Sequence, residues 1–177
     1  MRISVLKGDI TKIKADAIVN AANYTLLGGG GVDGAIHRVA GPQLMMECSE
    51  LRKNRFQSGL PTGQAVATKA YGLNAKIIIH TVGPRYSRED ISLLQECYMN
   101  SLRIAEEQGC KSIAFPAIAT GAYGVPIEKS AEIVKEVLQD FTSEVIEEVV
   151  LVLFKEEDVI AYNRVVLGNK EEIDRTI

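Results

Sequence analysis

A run of four glycines followed closely by a carboxylate is the part of this sequence best suited to chemistry. The stretch Leu27–His37 reads LGGGGVDGAIH, so Gly28–Gly31, the first glycine loop, stand just before Asp33. Glycines can turn successive N–H groups to one side, and a helix start adds partial positive charge. The loop therefore predicts either a phosphate site or a flexible turn. Asp33 suits a helix N-cap, but it could also accept from a sugar hydroxyl or deprotonate a water molecule.

A second glycine-rich segment has the same character. Pro116–Gly124, the second glycine loop, reads PAIATGAYG and stands between a predicted strand and a predicted helix. Two such loops on one rim favour a diphosphate clamp over two unrelated turns. Gly29, Gly31 and Gly34 also satisfy GxGxxG, but the dinucleotide motif must directly follow a strand in a tight turn. A longer segment follows Val19 here, which argues against a nicotinamide dinucleotide.

Alternating strand and helix patterns must position these loops. The alternation predicts a largely parallel sheet with helices on both faces, and a ligand crevice at the carboxyl ends of the strands. The predicted strands are 3–6, 17–19, 65–70, 77–82, 112–115 and 148–154, and the predicted helices are 33–40, 43–53, 92–108, 128–141 and 158–167.

Three more polar residues follow predicted strands at this rim. Asn20 and Asn23 flank two alanines, and an amide can serve ribose hydroxyls or cap a local turn. Asp9 follows the first strand, where it could form an Asx turn, cap a helix or accept from an adenine amino group. The residue types alone leave these alternatives open.

The few aromatic residues and the two histidines are ambiguous in the same way. Tyr123 could shield a sugar, and Phe154 could pack on a base or in the core. His37 lies four residues after Asp33 on one helix face, as a structural residue or a partner of that carboxylate. His80 is expected to be a hydrogen-bonded strand histidine. With two histidines and no acidic cluster at ligand spacing, no metal site is predicted.

Composition is that of an ordinary soluble domain. The 177 residues are 46% apolar and 24% charged, and the net charge of −3 argues against a mainly electrostatic nucleic-acid binder. Cys48, Cys97 and Cys110 are far apart and are expected to be small hydrophobic residues in a reducing cytosol. The N-terminus resembles a strand rather than a signal peptide, and no apolar run suits a membrane span. We therefore expect a cytoplasmic protein.

Six sequence blocks together resemble the macrodomain family over nearly the whole chain. They are, in order, GDIT, IVNAAN, GGGGVDGAIHRVAGP, PTGQAVAT, HTVGP and FPAIATGAYGVP. The glycine block is most similar to the O-acetyl-ADP-ribose deacetylase and mono-ADP-ribosyl hydrolase subfamily. The resemblance implies a single domain over residues 1–177 with an α/β fold. That fold is a three-layer α/β/α sandwich around a mixed, largely parallel sheet, with ADP-ribose in a cleft at its crest.

The resemblance also implies roles for individual residues. Asn23 and Asp33 would be catalytic, holding the distal ribose and the hydrolytic water, while Asn20 would be structural. The implied ADP-ribose ligands are Asp9 and Ile10 at adenine, Gly29, Gly30, Gly31 and Val32 in the first diphosphate loop, Ala119, Thr120, Gly121, Ala122 and Tyr123 in the second, Asn23 at the ribose, and Phe154 near adenine. No cofactor or metal ion is implied.

Two positions depart from the family pattern. Ala119 stands where a serine is usual, which removes a hydroxyl worth about 0.5–1.5 kcal/mol if it bonded a phosphate. Val125 stands where an aromatic residue is expected, and we expect this change to open that side of the cleft.

The implied activity is a metal-independent hydrolase of ADP-ribose derivatives. Water activated by Asp33 would deacetylate O-acetyl-ADP-ribose, release mono-ADP-ribose from acidic side chains of proteins, or do both. The alternatives are a non-catalytic ADP-ribose reader and an ADP-ribose-1″-phosphate phosphatase. The expected partners are ADP-ribose derivatives and mono-ADP-ribosylated proteins, rather than nucleic acid or membranes.

Overall fold

The computed structural model describes residues 1–169, which form a six-stranded sheet covered by helices. The strands are β1 (Arg2–Lys7), β2 (Ala17–Ala21), β3 (Ala65–Lys69), β4 (Ile77–Thr81), β5 (Ser112–Phe115) and β6 (Glu148–Leu153). They lie in the order β1-β6-β5-β2-β4-β3, and all neighbours are parallel except β3 and β4. The predicted mixed, largely parallel sheet is therefore confirmed.

Two hydrophobic clusters, one on each face of the sheet, establish the three layers. Tyr98, Val134 and Tyr162 bring three helices into one cluster. Ile36 and Leu44 bring the other two helices into the second cluster. The predicted α/β/α sandwich is thus confirmed. The helices are α1 (Gly31–Ala40), α2 (Pro42–Asn54), α3 (Ser92–Glu107), α4 (Ile127–Asp140) and α5 (Glu156–Val166), and a 3₁₀ turn covers Ile10–Lys12.

The central strand β2 shows why the apolar patterns appear where they do. Ala17 and Val19 belong to one cluster and Ile18 to the other, and all three are fully buried. Successive side chains of a strand point to opposite faces, so a strand covered on both faces is apolar throughout. The parallel strands end at one edge of the sheet, and the segments that follow them line that edge in the order of the strands.

Two predicted boundaries near this edge are wrong. Helix α1 begins at Gly31, so Asp33 is its third residue, and the N-cap is Gly30, which makes no side-chain cap bond. The predicted start at Asp33 therefore falls too late, because glycine in an unusual conformation forms the first turn; the φ of Gly31 is 57°. Strand β2 extends to Ala21, so Asn20 lies inside the strand, opposite His80, and not in the loop after it.

Other sequence expectations concern the limits of the domain and the cysteines. Residues 170–177, part of the predicted single domain, lie outside the described residues. Within residues 1–169, no helix is long and apolar enough to cross a membrane. Cys48, Cys97 and Cys110 are free and buried, which confirms them as small core side chains.

Candidate active site

A cleft of about 330 Å³ opens at the carboxyl ends of strands β2, β4 and β5. It lies between the first and second glycine loops, at the sheet edge where the sequence predicted a ligand crevice. Its lining consists of Ala21, Ala22, Asn23, Gly29, Gly30, Gly31, Val32, Asp33, Gly83, Ala117, Ile118, Ala119, Gly121, Ala122 and Tyr123. Most of the predicted ligand residues are therefore brought together.

Four predicted ligand residues lie outside this lining. Thr120 turns its hydroxyl to the Ala117 carbonyl oxygen, 2.9 Å away. Ile10 is buried in a core cluster. Asp9 and Phe154 follow the paired strands β1 and β6, whose register sets Lys7 opposite Leu153, so both lie at the same edge of the sheet. Phe154 is 80% exposed, so the alternative that it packs in the core is wrong.

The Asp9 carboxylate closes a local turn. Its Oδ1 accepts from the Thr11 amide at 2.9 Å and from the Thr11 hydroxyl at 2.7 Å. These two hydrogen bonds stabilise the carboxylate and lower its pKa. The Asx-turn and N-cap alternatives for Asp9 are therefore confirmed, and its contact with adenine stays a prediction.

Several positions in and beside the first glycine loop require glycine. A Cβ on Gly34, in helix α1, would lie 2.5 Å from the Gly29 carbonyl oxygen, and a Cβ on Gly29 would lie 3.2 Å from Asp33 Oδ2. Gly28 and Gly31 adopt positive φ angles of 87° and 57°. The glycines thus let the loop lie directly on the start of α1, where its N–H groups border the cleft.

A tyrosine from α3 supports the second glycine loop. The Tyr98 hydroxyl donates to the Pro116 carbonyl over 3.3 Å and accepts from the Ile118 amide over 3.2 Å. The two hydrogen bonds join α3 to positions 18 and 20 residues further along the chain, so no local sequence pattern reveals them. Val125, 2% exposed, lies in a core cluster and not in the cleft lining, so the expectation that it opens the cleft is wrong.

Asp33 is the most constrained polar group of the cleft. It is 4% exposed, and its Oδ1 accepts from Asn20 Nδ2 at 2.9 Å while its Oδ2 accepts from the Asn23 amide at 3.2 Å. Asn23 Oδ1 in turn accepts from the Thr25 amide at 3.1 Å. The turn-capping alternative for Asn23 is therefore confirmed, and the residue also lines the cleft.

The two histidines differ in their surroundings. His80 is fully buried in β4, with Nδ1 3.2 Å from Asn20 Nδ2 and Nε2 2.9 Å from Thr68 Oγ1, which confirms the predicted strand histidine. Burial lowers the pKa of His80 to about 3, so its ring is neutral. His37 Nε2 lies 3.4 Å from Asp33 Oδ1, and neither ring nitrogen has a hydrogen-bond partner among residues 1–169.

The outer end of the cleft is bordered by Tyr123. The Arg85 guanidinium lies over its ring, 5.5 Å from the centroid, and the Tyr86 amide donates to the Tyr123 carbonyl over 2.9 Å. Gly83, two residues before Arg85, lines the cleft but was not among the predicted ligands. Gly83 directly follows the predicted strand 77–82, and this position was the sequence feature that could have identified it as a cleft residue.

Known proteins share both the sequence and this fold. The O-acetyl-ADP-ribose deacetylase of Escherichia fergusonii is 48% identical over 176 residues, covering 97% of this chain and 98% of that protein. The Oceanobacillus iheyensis macrodomain, solved with ADP, has a TM-score of 0.88 and 43% identity, covering 93% of this chain and 88% of that one. The Trypanosoma brucei macrodomain, solved with ADP-ribose, has a TM-score of 0.81 and 38% identity, covering 92% and 65%.

A family match agrees with these relatives. Residues 19–134, which contain both glycine loops, Asn23 and Asp33, match the Macro domain. The predicted resemblance is confirmed, and the chain belongs to the macrodomain family.

Proposed function

We propose that this protein binds ADP-ribose derivatives and hydrolyses O-acetyl-ADP-ribose to ADP-ribose and acetate, with Asp33 activating the water and no metal ion required. The observation that carries the proposal is the buried Asp33 carboxylate, held from two sides at the wall of a cleft between two glycine-rich loops. The deacetylase relative, 48% identical, supports the choice of substrate.

The order of the strands supports the pose of the ligand. Residues after β1 and β6, Asp9 and Phe154, would contact adenine at one end of the edge. The second glycine loop after β5 and the first loop at the start of α1 would hold the diphosphate through backbone N–H groups. Asn23, after β2, would donate to the distal ribose, which brings the acetylated hydroxyl beside Asp33.

The chemistry needs only a positioned base. Asp33 takes a proton as the water oxygen bonds to the acetyl carbonyl carbon. The tetrahedral intermediate then breaks its bond to the ribose oxygen, which receives that proton. The products are ADP-ribose and acetic acid, which ionises. Diphosphate binding contributes by fixing the ester near the water, because positioning removes much of the entropic part of the barrier.

The same carboxylate would serve a second class of substrate. An aspartyl or glutamyl ester of ADP-ribose places its anomeric carbon at the distal ribose, where the same water would attack. A phosphate oxygen of the ligand would help to activate that water. This ester hydrolase activity is therefore part of the proposal, and parallel assays on the two substrates determine which of them the protein hydrolyses.

The test is a mass-spectrometric time course with O-acetyl-ADP-ribose in ¹⁸O-labelled water, corrected for spontaneous hydrolysis. We expect enzyme-dependent conversion, label in the acetate, and a rate unchanged by EDTA. Calorimetric titration with ADP-ribose and a parallel assay on ADP-ribosylated protein complete the set. Conversion lost on EDTA treatment would contradict the metal-independent mechanism.

Each other outcome selects an alternative. Binding of ADP-ribose without turnover of either substrate would identify a reader. Turnover of the protein-linked substrate alone would restrict the activity to ester-linked ADP-ribose. Release of phosphate from ADP-ribose-1″-phosphate, without deacetylation, would identify a phosphatase. Absence of ADP-ribose binding would overturn the whole proposal.

A further inference from the structure

A line of buried polar side chains leads from an edge strand of the sheet to Asp33. Thr68 lies on β3, His80 on β4 and Asn20 on β2, and they are 3%, 0% and 0% exposed. We propose that Thr68, His80 and Asn20 are positioning residues that hold the Asp33 carboxylate in its catalytic orientation. This inference rests on the proposed function, and it adds three residues that do not themselves line the cleft.

The sheet register brings these residues to one face. Asn20 and His80 are directly paired across β2 and β4. Asn20 lies two residues from Ile18, and His80 lies two residues from Ile78, and both isoleucines face the cluster shared with α1. Because side chains alternate between faces, Asn20 and His80 point toward the same layer as Asp33 on α1.

The hydrogen bonds along the line have only one consistent direction. Asn20 Nδ2 donates to Asp33 Oδ1, and the same nitrogen faces His80 Nδ1, which must accept from it. The Thr68 hydroxyl, which lies 3.1 Å from the Lys69 carbonyl and can donate to it, is then the acceptor for His80 Nε2 at 2.9 Å. His80 Nε2 therefore carries the ring proton, and Nδ1 must accept. The Asn20 amide supplies one hydrogen to Nδ1 over 3.2 Å and the other to Asp33 Oδ1 over 2.9 Å.

The orientation of the Asn20 amide depends on this line alone. Among residues 1–169, its Oδ1 has no hydrogen-bond partner, so only the two Nδ2 donations set its direction. A flipped amide would set its oxygen against the carboxylate of Asp33 and the accepting nitrogen of His80. A neutral His80 ring, which burial maintains, can present an unprotonated Nδ1 to Asn20. This acceptor and the Asp33 carboxylate together hold the Asn20 amide in its donating orientation.

The consequence for Asp33 is a fixed carboxylate plane. Asn20 holds Oδ1, and the Asn23 amide holds Oδ2. His37 Nε2, 3.4 Å from Oδ1, is the group toward which a released carboxylate would turn. A carboxylate that deprotonates a water molecule must keep its oxygen in one orientation toward that water. Buried hydrogen-bond partners with fixed side-chain rotamers maintain this orientation.

The first experiment separates catalysis from binding. In Asn20→Ala we expect kcat for O-acetyl-ADP-ribose to fall roughly 10- to 100-fold, the range for a hydrogen bond to a charged group, with the Kd for ADP-ribose within about threefold. Ser101→Ala is the matched control, because Ser101 is fully buried and donates to the Cys97 carbonyl over 2.7 Å, away from Asp33. It should keep kcat.

Two variants of His80 distinguish positioning from packing. His80→Asn keeps an acceptor near the Nδ1 position, whereas His80→Gln keeps a donor near the Nε2 position. If His80 acts by positioning Asn20, kcat should be higher in His80→Asn than in His80→Gln. This order is expected even though the smaller asparagine leaves a larger cavity and a less stable protein. The opposite order of kcat values would overturn the inference.

A measurement on the unaltered protein covers variants that do not fold. ¹⁵N NMR of the His80 ring should show a protonated Nε2 and an unprotonated Nδ1, and the reverse tautomer would overturn the inference. Active wild type with an unaffected Asn20→Ala variant would overturn the inference but leave the proposed function intact. Inactive wild type with the expected tautomer would overturn the proposed function, and the catalytic role of the line with it.

Discussion

Gly83 packs so closely against Ala119 that a side chain on Gly83 would collide with it. A Cβ on Gly83 would lie 2.7 Å from the Cβ of Ala119 and 2.9 Å from Ile118 Cγ2, distances that real Cβ atoms do not show. The segment after β4 therefore packs directly against the second glycine loop. Ala119 adopts a positive φ of 65° at this contact. Gly83 and Ala119 both line the cleft, so this contact forms part of its wall.

Gly83→Ala should weaken ligand binding without unfolding the protein. Because overpacking a tight contact costs about 1–3 kcal/mol, the second loop must shift, and we expect about tenfold weaker ADP-ribose binding by calorimetry. Adding Ala119→Gly removes the nearest colliding atom, so the double variant should recover part of the affinity. Equal affinity of Gly83→Ala and wild type would show that the loop yields at no cost.

Ala119→Ser should strengthen binding. The serine hydroxyl would add a donor at a position that borders the cleft, where Ala119 is half-buried. One added hydrogen bond is worth about 0.5–1.5 kcal/mol, which corresponds to roughly 2- to 12-fold tighter ADP-ribose binding. Unchanged affinity in the calorimetric titration would show that the hydroxyl does not reach the diphosphate.

Asp33→Ala should abolish turnover and leave binding intact. General-base catalysis contributes about 10²–10⁴-fold, so the mass-spectrometric rate should fall at least that far while ADP-ribose still binds. The matched control is Asp158→Ala, because Asp158 occupies the first turn of α5 as Asp33 occupies that of α1. Retained turnover in Asp33→Ala would remove this residue from the mechanism.

Arg85→Ala should weaken binding by a smaller factor. A solvent-exposed cation–π contact is worth about 0.5–1 kcal/mol, so losing the arginine that holds the Tyr123 ring should weaken ADP-ribose binding by at most roughly two- to fivefold. Arg88→Ala, which removes the same charge from an exposed site three residues away, is the control for a purely electrostatic effect. Equal losses in both variants would assign the effect to charge rather than to the position of Tyr123.

The features that could be predicted are those recorded in the spacing of apolar residues and in the place of polar residues after strands. Alternating apolar runs gave the correct layers, and the rule that ligands bind at strand ends located both loops and Asp33. Contacts between distant segments were not predictable. The bond from Asn20 to Asp33 spans 13 residues, and that from Tyr98 to Ile118 spans 20. Both hydrogen bonds depend on how the helices pack against the sheet, and no local sequence pattern predicts that packing.

Acid should reduce the stability of the protein through His80. The ring is neutral when folded, with a pKa of about 3, while an unfolded histidine titrates near 6.5. Between these values the unfolded chain binds a proton that the folded chain does not, so the free energy of unfolding falls by about 1.4 kcal/mol per pH unit as pH decreases. The contribution is complete above pH 6.5 and is lost progressively below it.

The difference between wild type and His80→Gln isolates this contribution. Asp9 and Glu89, whose pKa values are lowered by hydrogen bonds, also destabilise the protein in acid, but they are the same in both proteins. Urea unfolding at pH 7 and pH 4.5 should therefore show the stability advantage of wild type over His80→Gln shrinking by about 2–3 kcal/mol. An advantage that is constant with pH would mean that His80 accepts a proton in the folded state, and a protonated ring could not accept from Asn20.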